Sequence, residues 1–424
     1  MNQRSLNDWL AFVEASHPQN VIELGLSRMQ TMLKALDIHF DCPVITVAGT
    51  NGKGSTCAML EAIYRANGFK TALHTSPHLL RFTERAKINN VEVNEAALVA
   101  SFERVNQARE AVPLTYFEFT ALAILDLFMR EKPDVVILEV GLGGRLDAIN
   151  ALNPSAAIVT SVGVDHEAFL GNTREAIAWE KAHVYRADKP AVCADPNPPH
   201  KLMEYAYKLG ARVMLRGEHF QITQDGEHLR FTIRGQEAIQ IVRPALQGVN
   251  QIDNVAGVLA LVASLKETLP VSLAAINQAL TGVQLTARFE RVADTPLTYL
   301  DVGHNPHAAR VLAKNLQALG QKGKVRAVFG MLADKDMQEV IEIVREQIDA
   351  WYIAGLPGPR GAGAELLKDT MLKAGVDAER IGVCPSIAQA LDKAQHDSDP
   401  DDALIVFGSF VTVMQVLPQL KPSA

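Results

Sequence analysis

The chain has 424 residues, 48% hydrophobic and 21% charged, with a formal net charge of −7 at pH 7. This length suggests about two to four domains of a soluble globular protein, and the negative balance argues against a general nucleic-acid binder. Four cysteines without paired spacing, no signal-peptide pattern and no membrane-length apolar run predict a cytoplasmic protein with no zinc site, disulfide framework or membrane partner.

The first strong pattern is "VITVAGTNGKGST", residues 44–56. The short β-branched run Val44–Ala48 indicates a buried strand, and the residues after the glycines have helical spacing up to Gly68. A strand, a glycine loop and a helix together form a phosphate-binding arrangement, because backbone N–H groups and the helix N-terminus point at the anion.

This loop departs from the strict P-loop pattern. Only two residues separate Gly49 from Gly52, and Gly54 follows Lys53 where a hydroxyl is usual. We nevertheless expect Lys53 to neutralise the β/γ-phosphates and Ser55 or Thr56 to hold Mg²⁺. The alternative is a glycine-rich turn with a solvent-facing lysine.

Further apolar runs alternate with helical patterns and predict parallel sheets covered by helices, with a domain boundary near Thr286. The runs are "DVVILEVG", "AAIVTSVG", "PLTYLDVG", "VRAVFGM", "WYIAG" and "ALIVFGSF". Between residues 213 and 241, apolar and polar residues alternate around Asp225-Gly226, which predicts an antiparallel hairpin or meander. We expect it to close the edge of the first sheet.

Polar residues follow several predicted strands, where open parallel sheets bind ligands. Glu139 ends "DVVILE", and Asp165 and His166 follow "AAIVTSVG"; these carboxylate and imidazole groups are candidate ligands or neighbours of Mg²⁺. Ser76 and His78 flank a proline turn, and Ser76 is a further candidate ligand for a hard cation.

The second predicted domain contributes "LDVGHNPHAA". Asn305 and Pro306 are a good N-cap and first helical residue, but helix capping leaves Asp301, Gly303 and His304 unexplained. Such a polar strand end predicts a site closed between two domains, which would keep water from a reactive phosphorylated intermediate.

Assembled in order, these segments resemble the folylpolyglutamate synthase and dihydrofolate synthase family, relatives of the Mur ligases. The resemblance spans nearly the whole chain and looks most like the bifunctional bacterial enzyme. It rests on "GTNGKGST", "TSPHL" with "TERAKI", "LTYFEFTALAI", "LEVGLGGRLDAIN", "VDHEAFLG", "WEKAHVY", "LDVGHNPHAA" and "FGMLADKD".

The resemblance implies an α/β fold with two domains. Residues 1–286 would form a Mur-ligase-like P-loop ATPase-type domain, with a mostly parallel sheet and helices on both faces. Residues 287–424 would form a smaller, Rossmann-like glutamate ligase domain. A monomer is expected.

The activity implied is that of an ATP-dependent amide ligase. ATP would phosphorylate a carboxylate of dihydropteroate or a folate, and the amino group of L-glutamate would attack the acyl phosphate. Lys53, Lys181, Asp301 and His304 would be catalytic; Ser76, Glu139 and His166 would bind Mg²⁺, at up to two sites. The pterin would meet Arg81, Thr115, Phe117 and Asp147, and the residues implied in ATP binding are Gly49, Thr50, Asn51, Gly52, Lys53, Gly54, Ser55, Thr56, Asn254, Arg288 and Asp301.

Lys181 matches the lysine that becomes carbamylated in the family. An ammonium near Mg²⁺ would repel the ion, and we expect a neutral amine to be costly there near pH 7. A carbamate would replace the cation with a carboxylate-like anion. The alternative is a surface lysine paired with Glu180 or Asp188.

Three other functions stay open. A non-catalytic P-loop binding module would give no role to Asp301 and His304. A Mur ligase acting on a nucleotide-linked sugar peptide should carry an extra amino-terminal domain, for which the roughly forty residues before the P-loop strand are too few. A folylpolyglutamate synthase lacking dihydrofolate synthase activity is the nearest rival.

Overall fold

Val44–Ala48 forms the predicted buried strand in the computed structural model, which describes residues 4–17 and 23–421. The chain divides into two compact units, one comprising Met1–Ala245 with Ile252–Val283 and the other Leu246–Gln251 with Gln284–Ala424. No helix within the described ranges is long and apolar enough to cross a membrane.

The larger unit contains an eight-stranded sheet in the order β4-β3-β2-β5-β1-β6-β7-β8. Strands β2, β5, β1, β6, β7 and β8 run parallel, and β3 and β4, at one end of this sheet, pair in antiparallel fashion. The strands are β1 Val44–Ala48, β2 Thr71–His74, β3 Ala86–Ile88, β4 Val91–Glu92, β5 Val135–Glu139, β6 Ala156–Val159, β7 Pro190–Cys193 and β8 Arg212–Leu215.

Helices pack on both faces of this sheet. Ala157 and Val159 of β6 join the core that contains Ile177 and Leu202, whereas Ile158 between them meets Gly257 from the opposite side. The helices of the unit are α1 Leu6–Ser16, α2 Ser27–Ala35, α3 Lys53–Ala66, α4 Glu95–Ala108, α5 Tyr116–Glu131, α6 Glu167–Leu170, α7 Arg174–Ala182, α8 His200–Lys208, α9 Gln251–Ser264 and α10 Leu273–Gly282.

The predicted meander is present, but its expected place is wrong. Strands β9 Phe220–Asp225, β10 His228–Ile233 and β11 Ile239–Val242 form a separate three-stranded antiparallel sheet. The edge of the large sheet is instead β8, which pairs in parallel with β7. The alternating pattern correctly gave the hairpin, but it carries no information about which strand the hairpin joins.

The smaller unit has a six-stranded sheet in the order β12-β13-β17-β14-β15-β16, in which only β12 is antiparallel. As predicted, Asn305 caps α11 and Pro306 is its first residue. The elements are β12 Arg288–Asp294, β13 Leu297–Asp301, β14 Val325–Phe329, β15 Ala350–Ile353, β16 Ile381–Val383 and β17 Ala403–Phe407, with α11 Pro306–Ala318, α12 Met337–Val344, α13 Ala364–Lys373, α14 Ile387–His396 and α15 Phe410–Leu420.

The α/β fold expected from the sequence is therefore confirmed, with a mostly parallel sheet in each unit.

Candidate active site

The glycine loop connects β1, in the middle of the large sheet, to α3. Gly52 caps the helix with a left-handed backbone, φ 86°, and Gly49 has φ 147°. A Cβ on Gly49 would lie 1.9 Å from Thr160 Oγ1, and one on Gly52 would lie 2.4 Å from Asn254 Oδ1. Glycine is required at both positions because the neighbouring side chains leave no room for a Cβ.

The residues after β6 hold this loop from the side. The Thr50 N–H donates to the Ser161 carbonyl at 2.7 Å, and the Thr50 hydroxyl donates to the Gly163 carbonyl at 3.0 Å. Thr160 and Ser161 both donate their hydroxyls to the Asn51 carbonyl, at 2.7 and 3.0 Å. These four hydrogen bonds hold the loop against the residues that follow β6.

Two lysines meet at one carbonyl oxygen of the loop. Lys53 Nζ donates to the Gly49 carbonyl at 3.0 Å and to the Thr50 carbonyl at 3.1 Å. Lys181 Nζ donates to the same Gly49 oxygen at 3.0 Å from α7. Two lysine Nζ groups therefore lie together where the loop would receive phosphate.

Lys181 is buried, with only 4% of its surface exposed, so the surface-lysine alternative is wrong. Its neighbour Glu180 binds Arg145 at 3.0 Å. Burial, followed by repulsion from the Lys53 ammonium, lowers the pKa of Lys181 to about 7. The expectation that a neutral amine would be costly near pH 7 is therefore also wrong, because a large fraction is already neutral at that pH.

Ser76 and Glu139 lie together at the ends of neighbouring strands. The Ser76 N–H donates to Glu139 Oε2 at 3.0 Å, and Glu139 is 5% exposed. His166 has a left-handed backbone at the start of α6 and donates its N–H to Asp165 Oδ1 at 2.8 Å.

In the part of the chain that the structure describes, no three His, Cys, Asp or Glu side chains gather as a metal cage. Mg²⁺ needs no such cage, because it commonly takes one or two carboxylates together with substrate phosphates and water. Ser55 and Thr56 lie buried in the first turn of α3, after Gly54, and the Thr56 hydroxyl has no hydrogen-bond partner among the described residues.

A cavity of about 260 Å³ lies beside these groups. Three of the four residues predicted to bind the pterin, Thr115, Phe117 and Asp147, line it, together with Ser76. The full lining is Glu23, Leu24, Gly25, Ser76, Pro77, Arg85, Thr115, Tyr116, Phe117, Glu118, Gly141, Leu142, Leu146, Asp147 and Ala148.

Asp147 holds one wall of the cavity in shape. Its carboxylate accepts the N–H groups of Gly141 at 3.1 Å, Leu142 at 2.9 Å and Ile149 at 3.0 Å. Burial nevertheless raises the pKa of Asp147 to about 6, because these three bonds only partly offset the loss of solvation. A Cβ on Gly141 would lie 3.0 Å from Phe117, so the ring and the loop are in close contact.

Arg81, the fourth predicted pterin residue, is not part of the cavity lining. Its side chain is 71% exposed and binds Glu92 at 2.8 Å. Arg85, four residues later, lines the cavity instead and is 7% exposed. No local pattern favours Arg85 over Arg81, since the short 3₁₀ turn Phe82–Arg85 that turns Arg85 inward has no clear sequence signature.

In the smaller unit, Asp301 lies at the end of β13 and accepts the N–H groups of Gly303 and Phe289, at 2.6 and 2.9 Å. Burial raises its pKa above the ordinary value. The Arg288 guanidinium lies 5.1 Å from the Phe410 ring centre, and the His304 ring lies 6.3 Å from the same ring. Phe410 was not identified from the sequence, because it belongs to the last helix and approaches this group only in the folded unit.

Two Mur ligase families match the sequence. Residues 47–262 match the Mur ligase middle domain, and residues 287–410 match the Mur ligase glutamate ligase domain.

The chain is also similar to two bacterial proteins over nearly their whole length. A dihydrofolate synthase/folylpolyglutamate synthase of Escherichia coli (strain K12) is 40% identical over 416 residues, which cover 97% of this chain and 94% of that protein. The protein of the same name from Haemophilus influenzae is 38% identical, with coverages of 97% and 96%.

Solved structures agree with these matches. E. coli FolC in complex with DHPP and ADP is 38% identical, with a TM-score of 0.92 and 98% coverage of both chains. The bifunctional folylpolyglutamate synthase/dihydrofolate synthase of Yersinia pestis, complexed with AMPPNP and a Mn ion, is 41% identical, with a TM-score of 0.90 and the same coverage.

Proposed function

This chain belongs to the dihydrofolate synthase/folylpolyglutamate synthase family of the Mur ligases and is an ATP-dependent ligase, and we propose that it joins L-glutamate both to dihydropteroate and to the glutamate tail of reduced folates. The proposal rests on two neighbouring features, the lysine contacts at the glycine loop and the cavity beside them. The Nζ groups of Lys53 and Lys181 meet at the Gly49 carbonyl, and the cavity lined by Phe117 and Asp147 reaches Ser76, which bonds Glu139.

The reaction uses ATP and a divalent metal ion. We assign ATP binding to the loop and to Asn254, which lies against Gly52. The N–H groups of the loop and the Lys53 ammonium would hold the β/γ-phosphates and stabilise the charge that develops on the transferred phosphoryl group. ADP would leave as the substrate carboxylate becomes an acyl phosphate.

Ser76 and Glu139 offer oxygen ligands that fit a hard divalent cation, and α3 adds a buried Thr56 hydroxyl that has no hydrogen-bond partner among the described residues. Ser76, Glu139 and His166 would hold the ion. When bound, it would neutralise phosphate charge.

The cavity would bind the flat pterin ring against Phe117, while Asp147 accepts ring N–H groups. Thr115 and Arg81 are retained as proposed contacts, although Arg81 would have to leave its partner Glu92.

In the smaller unit, Arg288, Asp301 and His304 would contact ATP and the reacting groups. We propose that residues 1–286 form the ATP-binding domain and that residues 287–424 form the glutamate ligase domain. The glutamate amino group would attack the acyl phosphate, forming the amide and releasing phosphate.

We further propose that Lys181 carries a carbamate. Its neutral Nζ would attack CO₂, forming an N–C bond and releasing one proton, and the resulting anion would help to orient the metal ion. The low pKa of Lys181, about 7, supports this step because only the neutral amine reacts.

The carbamate is tested with ¹³CO₂ and the Lys181→Ala variant. We expect a ¹³C carbamate signal in the parent that weakens below pH 7, as the amine becomes protonated. Activity should be lost in Lys181→Ala and partly restored by acetate, whereas Lys189→Ala, an exposed lysine nearby, should behave as the parent. A silent NMR spectrum together with full activity of Lys181→Ala would refute the modification.

We also propose that the enzyme acts as a cytoplasmic monomer without nucleic-acid or membrane partners. Its four free cysteines support a reducing compartment, and its net charge of −7 supports the absence of nucleic acid.

The deciding experiment measures ADP release with ATP, glutamate and either dihydropteroate or a reduced folate. Release with both acceptors is expected. Release with the reduced folate alone would identify a monofunctional folylpolyglutamate synthase, and release with neither would refute the proposed substrates.

A further inference from the structure

Arg85 is a buried cation on the wall of the cavity. Its side chain makes a single hydrogen bond within the described residues, from Nε to His78 Nδ1 at 2.8 Å. Glu84 and Glu139 attract it only at longer range; Glu84 accepts the N–H groups of residues 79–81, and Glu139 accepts that of Ser76.

A buried guanidinium without a carboxylate partner is costly, since both desolvation and the unused N–H donors count against it. Such a group in a ligand cavity fits an anion, and its planar donors match a carboxylate in particular. Both acceptor substrates of the proposed function carry the carboxylate that receives glutamate.

The side chain and the backbone of Arg85 are both held in place. The guanidinium carbon Cζ lies 5.3 Å from the Phe82 ring centre, and the guanidinium also contacts His78, whose ring packs edge-on against Phe82 with the ring centres 5.8 Å apart. The Arg85 backbone carbonyl accepts the Thr75 N–H at 3.2 Å and contacts His74 Nδ1 at 2.8 Å. Thr75 precedes Ser76, and Ser76 and Arg85 both line the cavity.

The His78 bond has a definite polarity. Arg85 Nε can only donate, so His78 Nδ1 must be the acceptor and the neutral ring carries its hydrogen on Nε2. This bond consumes the Nε donor and leaves the two Nη groups of Arg85 as the donors available to a ligand in the cavity.

We propose that His78 is a positioning residue that directs the Arg85 guanidinium toward the substrate carboxylate to which glutamate is added. The inference rests on the proposed function and adds to it the group that recognises the acceptor's acidic end. Each acceptor must bring its own reacting carboxylate, the benzoate carboxylate of dihydropteroate or a tail carboxylate of a folate, to the same reaction position, so both activities depend on His78.

The test compares His78→Phe with His78→Asn. Phenylalanine keeps an aromatic ring against Phe82 but removes the acceptor, whereas the asparagine Oδ1 can replace Nδ1. We expect His78→Phe to raise KM for dihydropteroate and for the reduced folate by about tenfold or more, with a smaller change in kcat and none in KM for ATP. His78→Asn should recover most of the loss, and His200→Phe, at an exposed histidine, is the matched control.

Unfolding curves of both His78 variants separate this role from a structural one. A merely structural role predicts that KM rises only in a variant whose free energy of unfolding falls. Equal KM values in His78→Phe and the parent would overturn the inference, as would a loss confined to one acceptor or no recovery in an equally stable His78→Asn. Failure of the parent to use either acceptor would instead refute the proposed function.

Discussion

The carbonyl oxygen of Gly49 accepts hydrogen bonds from two lysines, and this contact joins the phosphate loop to α7. Lys53 bonds carbonyls of the loop that precedes it, whereas Lys181 lies 132 positions after Gly49 in the chain. A phosphate entering the loop would offer the Lys53 ammonium a stronger partner than a neutral carbonyl. Burial and the nearby Lys53 charge both disfavour the charged form of Lys181, so the two amines can share one carbonyl oxygen.

Replacing Lys53 with alanine should leave the protein folded but reduce glutamate-dependent ADP release by about 10³-fold, because the β/γ-phosphates lose their fixed charge. A coupled ADP assay measures this, with Lys208→Ala on the exposed face of α8 as control. Near-normal turnover would remove the loop lysine from the mechanism.

Asp147 is the residue whose loss should separate the two activities. Asp147→Ala removes the acceptor for the pterin N–H groups and also frees the N–H groups of Gly141 and Leu142. We expect kcat/KM for dihydropteroate to fall further than kcat/KM for tail extension, as measured by steady-state kinetics with each acceptor. Equal losses would mean that Asp147 only supports the loop.

At the scale of elements, β1, the glycine loop and α3 act together because each end of the loop is packed against another part of the fold. Gly49 lies against Thr160 after β6, and Gly52 lies against Asn254 on α9. Helix α3 is flanked by two glycines with positive φ. Gly52 precedes its first residue, with φ 86°, and Gly68 follows its end, with φ 90°.

This pair allows a matched test. Gly52→Ala and Gly68→Ala should each cost about 1 kcal/mol or more of stability, because alanine disfavours the left-handed backbone. Only Gly52→Ala also meets a neighbour, Asn254, whereas nothing lies within 4 Å of a Cβ on Gly68. A rise of tenfold or more in KM for ATP is therefore expected in Gly52→Ala alone; the same rise in both variants would refute this account of the loop.

At the scale of the whole molecule, each unit has its own sheet and core. Leu122 and Phe119 belong to one core of the larger unit, and Phe329 and Trp351 to the core of the smaller. The larger unit also buries the Asp147 carboxyl, and this burial is unfavourable when the group is ionised.

The stability of the larger unit should consequently depend on pH. The pKa of Asp147 is raised to about 6 from 3.8, so the folded chain binds this proton more tightly than the unfolded chain. The contribution is fully present below pH 3.8 and is lost as pH rises through 6, a loss of about 1.4 kcal/mol between pH 5 and pH 8. Asp147→Asn should lack this loss, so denaturant unfolding at the two pH values should show the parent falling relative to the variant; parallel curves would refute the raised pKa.

Much of the site was readable from local sequence. The loop and Glu139 follow or end strands, Phe117 lies in the first turn of α5, and Asp147 caps the turn Ala148–Ala151, and each occurs in a contiguous motif. Neither Arg85 nor Phe410 was identified from the sequence. The position of the Arg85 side chain depends on the orientation of a short turn, and that of Phe410 on the packing of a helix distant in sequence.

The sequence by itself determined the strands and most of the helices that it predicted, since β-branched runs, helical periodicity, caps and glycines act over a few residues. It also determined the family, because ordered motifs over the whole chain are specific. Only the tertiary structure decided that Lys181 is buried against Gly49, that the meander forms its own sheet and that Arg85 rather than Arg81 lines the cavity. Burial, strand pairing and side-chain direction arise from contacts between residues far apart in sequence, which no local pattern records.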